Sequence, residues 1–460
     1  MSDIKFGTDG WRAVVDRDFN KENVEKVIKS IGKYVFDTFG SDKTVLVGYD
    51  PRNKAPEFAE FSADLLAKMG LKVLISDKII ATPILAYSAK ELNACAVMFT
   101  ASHNPPEYLG IKFIPDYGGP ATNEITNELT ENLNKEINAF SSPKNPVRYS
   151  FEEDYVKEIE KIIDFDRIKS SNISINYDGH HGAAAGTFKF ILDKHGIKNN
   201  SFHLERDVKF GGFMPDPKEK YLPELKKTCQ ENQLTGMSND GDGDRFGVFN
   251  ENGDFVSANE IICILLLHLV KNKGFTGKLA KTVGASSMLD AVAKKSGIDV
   301  VLTPVGFKWL GEVMRKDDII IGGEESGGLS IKGHIPEKDG ILANLLILEA
   351  MAYSGKKLFE LQREIKNFAG CEFFSDRYDF EFETKEEQER VLAKFVNLNE
   401  FCGRKVKEKI TIDGIKYIFE DGSSILVRKS GTEPLLRIYL EAKDKFTLEK
   451  IGNSVNIFVK

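Results

Sequence analysis

Short apolar runs alternate with amphipathic stretches along most of the chain, and one order of segments recurs three times. A β-forming run is followed by a turn, a segment with apolar residues at helical spacing, a glycine and a second apolar run. The first instance is 44–48, the helical 55–69, Gly70 and 71–75. The second is 173–177, 183–195, Gly196 and Ile197, and the third is 279–283, 287–296, Gly297 and 298–302. Each glycine stands where a helix needs a left-handed residue to stop. This order predicts βα units around a mostly parallel sheet, hence three related α/β domains.

Beyond them the pattern changes. A strand over 377–382, a helix over 385–396 and strands over 414–419 and 424–428 predict a smaller C-terminal α+β domain. Boundaries are expected at the polar, proline-containing 141–146, near 250–253 and within 352–370, dividing the chain into 1–146, 147–252, 253–366 and 367–460. At 460 residues the chain exceeds one ordinary core, in keeping with several domains.

Composition narrows the classes. The 41% hydrophobic and 29% charged content is that of a globular chain. Its most apolar segment, 261–270, is too short to span a bilayer and reads as a core helix, so no membrane partner is expected. Residues 1–5 lack the apolar core of a secretory signal, and five cysteines lie far apart without metal-type spacing; together these predict a reducing, cytoplasmic setting. A formal charge of −7 argues against nucleic acid as a partner but leaves room for a local cationic pocket.

Five stretches could carry chemistry. Thr100-Ala101-Ser102-His103-Asn104-Pro105 lies between two apolar runs, so Ser102 is expected on a short loop at the end of a buried strand. Ser-His-Asp hydrolysis is not expected there: neighbours on an extended chain point apart, and no G-x-S-x-G elbow is present. Asp240-Gly241-Asp242-Gly243-Asp244-Arg245 sets carboxylates at alternate positions, where they can converge on one hard cation. An EF-hand also matches at Asp240, Asp242, Asp244 and Glu251, but its sixth position needs glycine and holds Arg245, and the following residues read as a hairpin.

Arg428-Lys429-Ser430-Gly431-Thr432-Glu433-Pro434, with Arg437 beyond, offers hydroxyls, backbone N–H groups and cations suited to a phosphate dianion, or equally to a solvated basic turn. Gly322-Gly323-Glu324-Glu325-Ser326-Gly327-Gly328 could turn Glu324 and Ser326 to vicinal sugar hydroxyls, or be a solvated acidic loop. Gly7-Thr8-Asp9-Gly10-Trp11-Arg12 supplies an arginine near a glycine turn, or a surface turn with a packed tryptophan. Of the histidines, His180 and His181 read as structural or solvent-facing, and His334, close to the Glu324 loop in sequence, as a candidate to border the same cleft.

In this order the five stretches resemble the motifs of the α-D-phosphohexomutase superfamily over the whole chain. The resemblance implies four domains around a central cleft. It implies Ser102 as the residue that carries the transferable phosphoryl group, with Asp240, Asp242, Asp244 and the Ser102 phosphate holding Mg²⁺. Lys112 and Arg12 would be candidates for proton transfer, with His103 and Arg245 beside them. The Glu324–Ser326 loop and 303–308, with Thr303, Gly306 and Lys308, would meet the sugar; Arg428, Ser430, Gly431, Thr432 and Arg437 would clamp its distal phosphate. The activity implied is interconversion of hexose 1-phosphate and hexose 6-phosphate through a 1,6-bisphosphate, which also serves as activator.

The partners implied are small sugar phosphates, with the protein a monomer or weak homodimer. The Glu324-Glu325-Ser326-Gly327-Gly328 form is more like glucose and dual glucose/mannose enzymes than glucosamine mutases, where glutamine in the middle and a histidine after the glycine are usual; Gly328 departs from the dual-specificity pattern too. Glucose is the expected sugar, with mannose next and glucosamine the alternative. A Mg²⁺-dependent sugar phosphatase and a non-catalytic sugar-phosphate binder are the readings from other classes. The absence of a G-x-x-x-x-G-K-[ST] nucleotide loop weakens a kinase-like one.

Overall fold

A computed structural model describes residues 4–7, 10–370, 372–430 and 434–459. The first sheet sets Trp11–Val14, Tyr108–Ile114, Cys95–Phe99, Thr44–Tyr49, Lys72–Ser76 and Val147–Tyr149 side by side. Its last four strands are parallel, and Tyr108–Ile114 turns back antiparallel on Cys95–Phe99. The second sheet repeats the plan: Ser174–Asp178 pairs in parallel with Lys198–Phe202 and Thr235–Asn239, and Phe246–Phe249 returns antiparallel. In the third, Lys278–Thr282 pairs in parallel with Val300–Thr303 and Ile319–Glu324, and Gly328–Ile331 returns antiparallel.

The three units therefore place their distinctive loops at equivalent points. The Ser102 loop, the aspartate loop and the Glu324 loop each join the last parallel strand of a unit to the antiparallel strand that follows. Strand ends of this kind are where α/β sheets present ligand-binding loops.

The predicted repeats form as expected, with helices Ala55–Lys68, Ala185–Lys194 and Ser287–Lys295. Gly70, Gly196 and Gly297 end them with φ of 101°, 66° and 67°. The apolar helix becomes Ala258–Lys271, opened by a reciprocal Ser257–Glu260 capping box, and it packs with Gly340–Ser354, a helix buried on every side through residue 352. Two segments near the expected boundaries extend neighbouring units. Val147–Tyr149 completes the first sheet beside Lys72–Ser76, and the helix Leu358–Ala369 runs on past residue 366.

The C-terminal sheet is antiparallel throughout, ordered Phe374–Glu381, Leu435–Ala442, Ser424–Lys429, Ile415–Phe419, Arg404–Ile410 and Glu400–Phe401. Its apolar core, around Tyr417, Phe419, Leu436 and Ile438, is separate from the one that runs through the second and third units. A cleft of about 1950 Å³ is lined by residues of all four units, including Arg12, Arg245, Glu324 and Arg428. Among the described residues, no helix is long and apolar enough to cross a membrane.

Candidate active site

Ser102 sits at the first strand end with φ 50°, a left-handed conformation rare for a residue with a side chain. What holds it there is a ring of hydrogen bonds. The Ser102 N–H donates to Thr100 Oγ1 at 2.8 Å, while the fully buried Arg52 donates from Nη2 to the carbonyls of Ser102 and Asn104 (2.6 and 2.7 Å) and from Nη1 to those of Pro105 and Tyr108 (2.8 and 2.9 Å). The chain is therefore not extended at Ser102, contrary to expectation, and its hydroxyl lies 3.3 Å from Nδ1 of His103 instead of pointing away from it.

Through this turn Ser102 Oγ donates to Asp240 Oδ2 at 2.7 Å. The aspartate loop can come this close because residue 241 is glycine: a Cβ there would stand 2.7 Å from the Ser102 carbonyl oxygen. Asp240, Asp242 and Asp244 are all fully buried, and one oxygen from each lies within 4.8 Å of the others. Lys112 donates to Asp242 at 2.9 Å and Asp244 at 2.8 Å, and Thr82 Oγ1 donates to Asp242 at 2.7 Å.

Burial, then the charges of Asp242 and Asp244, push the carboxyl of Asp240 well above its ordinary range. Burial acts the same way on Asp242, but Lys112 and the hydrogen bonds of Thr82 and Asp240 together outweigh it and hold that group low. Among the described residues, one buried oxygen each of Asp242 and Asp244 has no hydrogen-bond partner. Three converging carboxylates, crowded enough to raise one pKa and with two oxygens unused, fit a hard divalent cation of the Mg²⁺ type.

The wall in front of this cluster is cationic. Arg12 Nη1 donates to Asn104 Oδ1 at 2.7 Å, and Arg245, whose charge burial disfavours, is nonetheless held protonated by Asp240, Asp216, Asp244 and Glu324. Burial and then the neighbouring Arg245, Arg12, Lys218 and Lys112 keep His103 well below its ordinary pKa, so its ring is neutral.

On the third unit, Ser326 Oγ donates to Glu324 Oε1 at 2.6 Å, and burial raises the Glu324 carboxyl. Gly328 has a local reason. A Cβ there would stand 2.4 Å from Cδ of Lys338, whose stem crosses the glycine and whose ammonium reaches Asp244 at 3.2 Å. Gly306 lines the cleft with Val305 and Phe307. Thr303 is buried, with its hydroxyl on the Pro304 carbonyl at 3.0 Å, and Lys308 Nζ donates to Asn123 of the first unit at 2.7 Å.

On the C-terminal sheet, Arg428 and Arg437 are direct cross-strand partners, an arrangement that repels unless an anion is shared. Both line the cleft; among the described residues the buried Arg437 Nε has no hydrogen-bond partner, and Ser430 N–H donates to the Leu435 carbonyl at 2.8 Å. Gly431 and Thr432 lie outside the described residues.

Four domain models of one family match the chain in order. Phosphoglucomutase/phosphomannomutase alpha/beta/alpha domain I matches residues 3–140, domain II 153–253, domain III 257–368 and the C-terminal domain 380–456. The chain belongs to the phosphoglucomutase/phosphomannomutase family. It is thereby an isomerase, an intramolecular phosphotransferase of the phosphohexomutase type.

Other members of this family are similar over their full length. A phosphoglucomutase/phosphomannomutase of Thermococcus kodakarensis is 30% identical over 96% of this chain and 95% of its own. A phosphoglucosamine mutase of Methanococcus vannielii is 30% identical over 98% of each. A solved structure from Thermus thermophilus, provisionally named a phosphomannomutase, superposes with a TM-score of 0.89 at 31% identity, covering 100% of this chain and 99% of that one.

Sequence reasoning missed Arg52, Thr82 and Lys338. Asp50-Pro51-Arg52 directly follows the strand Thr44–Tyr49, the neighbour of Cys95–Phe99 and so at the same sheet end as the Ser102 loop, which was the available signal. Nothing local marks Thr82 or Lys338, which matter through the partners they reach. His180, His181 and His334 are buried; His334 Nε2 bonds to Asp339 at 2.8 Å away from the cleft lining.

Proposed function

We propose that this phosphohexomutase interconverts glucose 1-phosphate and glucose 6-phosphate, accepting mannose phosphates as a second substrate, with phosphorylated Ser102 as the donor. The observation that carries the reading is the Ser102–Asp240 contact at 2.7 Å, inside a cleft that also presents the opposed Arg428 and Arg437. Phosphoryl transfer needs charge neutralisation and positioning more than covalent work, and this cleft is built for both.

In the first half, a sugar hydroxyl forms a bond to the phosphorus of phospho-Ser102 while the bond to Ser102 Oγ breaks, giving a hexose 1,6-bisphosphate. The hydroxyl proton passes to a cleft base; His103, neutral and 3.3 Å from Ser102 Oγ, is the candidate at hand, with the cations of Arg12 and Lys112 beside it. In the second half, the reoriented bisphosphate returns its other phosphoryl group to Ser102, and the new sugar hydroxyl takes a proton back. Free bisphosphate would phosphorylate an empty Ser102 and so act as activator.

Asp240, Asp242 and Asp244, with the Ser102 phosphate, would hold Mg²⁺, which supplies Lewis-acid neutralisation of the transferring group. Glu324 and Ser326 would accept and donate to two adjacent sugar hydroxyls from either orientation, while Arg428, Arg437, Ser430, Gly431 and Thr432 would meet the phosphate not in transfer. Each of the four domains, 1–146, 147–252, 253–366 and 367–460, would thus contribute one loop to a single site.

The deciding experiment follows glucose 1-phosphate conversion with Mg²⁺ and a trace of glucose 1,6-bisphosphate, with mannose and glucosamine 1-phosphates in parallel. Fast glucose turnover supports the reading. Preference for glucosamine, favoured by relatives of that name at equal identity, would replace the sugar and keep the mechanism.

A further inference from the structure

Asp413 occupies the turn between strands Arg404–Ile410 and Ile415–Phe419, facing the third unit. One of its oxygens, Oδ2, gathers three contacts. It accepts hydrogen bonds from Arg428 Nε and from the Val305 N–H, each at 2.9 Å, and Arg428 Nη2 forms an ion pair with it at 2.7 Å. Arg428 is thus gripped along one edge of its fork, which fixes the guanidinium plane and leaves Nη1 as its other arm. Val305, on the third unit, is itself part of the cleft wall.

The grip has an electrostatic reason. Arg428 stands directly across from Arg437, so two guanidinium groups share a small area. An unrestrained Arg428 would swing away from its partner; a carboxylate on its outer edge holds it in place while leaving the pair short of negative charge for a dianion.

The grip is also a joint between bodies with separate apolar cores. Two more bonds of the same kind, side chain to backbone, cross the same seam: Ser287 N–H to Glu441 at 3.0 Å and Lys416 Nζ to the Val283 carbonyl at 2.9 Å. Of these three joints, the one at Asp413 ties the seam to a cleft arginine.

We infer that Asp413 is a positioning residue for the phosphate not in transfer: it orients Arg428 toward that phosphate and ties its capture to docking of the C-terminal unit on Val305. The inference rests on the reading that Arg428 meets this phosphate. An oriented arginine loses less freedom when the ligand arrives, and the Val305 bond steadies the same carboxylate when the two units are joined.

The test is a double-mutant cycle on glucose 1-phosphate turnover with Asp413→Ala, Arg428→Ala and the pair, plus Asp413→Asn as the milder variant. Asp413→Ala is expected to raise KM about tenfold, ~1.4 kcal/mol, with a smaller fall in kcat, and Asp413→Asn to raise it less. Added to Arg428→Ala, Asp413→Ala should change KM by less than about twofold, because it acts through that arginine. Additive effects, or a lowered KM in Asp413→Ala, would overturn the proposal while leaving the role of Arg428 intact. An unchanged KM in Arg428→Ala would instead remove the phosphate reading beneath it.

Discussion

The hydroxyl of Ser102 donates to Oδ2 of Asp240 at 2.7 Å across 138 residues of sequence. A hydroxyl so placed is at once within reach of the carboxylate cluster and beside the neutral ring of His103. Ser102→Ala should therefore lose turnover by on the order of 10³-fold or more. Glucose 1-phosphate affinity, measured by calorimetry, should stay within about threefold, since the sugar and distal phosphate contacts proposed above lie on other domains. Retained turnover would end the phosphoserine mechanism.

The repulsion stored among the aspartates gives a second expectation. Because burial and its two neighbours raise the Asp240 carboxyl, Asp240→Asn should stabilise the metal-free protein by about 1 to 2 kcal/mol in urea unfolding with a chelator present. Added Mg²⁺ at a ~100-fold excess over its Kd should stabilise the parent protein by about 2.7 kcal/mol and the variant far less. Equal Mg²⁺ stabilisation of the two would move the metal elsewhere.

Arg52 lies behind the cleft wall, yet its four carbonyl contacts define the Ser102 turn. Lysine has the charge but not the fork. Arg52→Lys should cost about 2 to 4 kcal/mol in stability. In the remaining folded protein, kcat should fall more than glucose 1-phosphate affinity. A folded variant with parental kcat would show that the left-handed serine needs no such support.

His203 offers a pH test away from the cleft. Its Nδ1 lies 3.0 Å from Asp178 Oδ1; this hydrogen bond raises its pKa while partial burial pulls it back, and Glu224, Glu205 and His181 face the same ring. A raised folded value means that the stabilisation is full below the unfolded pKa of about 6.5 and is lost as pH rises through the folded one. The destabilisation by His203→Gln, read from urea unfolding, should be larger at about pH 5.5 than at about pH 9. The opposite trend would mean that the neutral ring is the one the fold prefers.

Much of this protein is written locally. The helix stops at Gly70, Gly196 and Gly297, the strand runs between them and the three chemistry-bearing loops follow from side-chain periodicity and backbone permissiveness, which act over a few residues. The alternate aspartates likewise announce a cation without any fold, because spacing alone lets them converge.

Tertiary structure decided what those residues do to one another. The left-handed turn at Ser102 is imposed by Arg52, fifty residues upstream; Asp240 is perturbed by burial and its neighbours, and the open place at Gly328 is taken by the stem of Lys338. Asp413 looks like any acidic turn residue until Arg428 and Val305 are brought to it from two domains. Periodicity carries no information about such meetings. They depend on strand register, on which units face one cleft and on charges that become strong only once water is excluded.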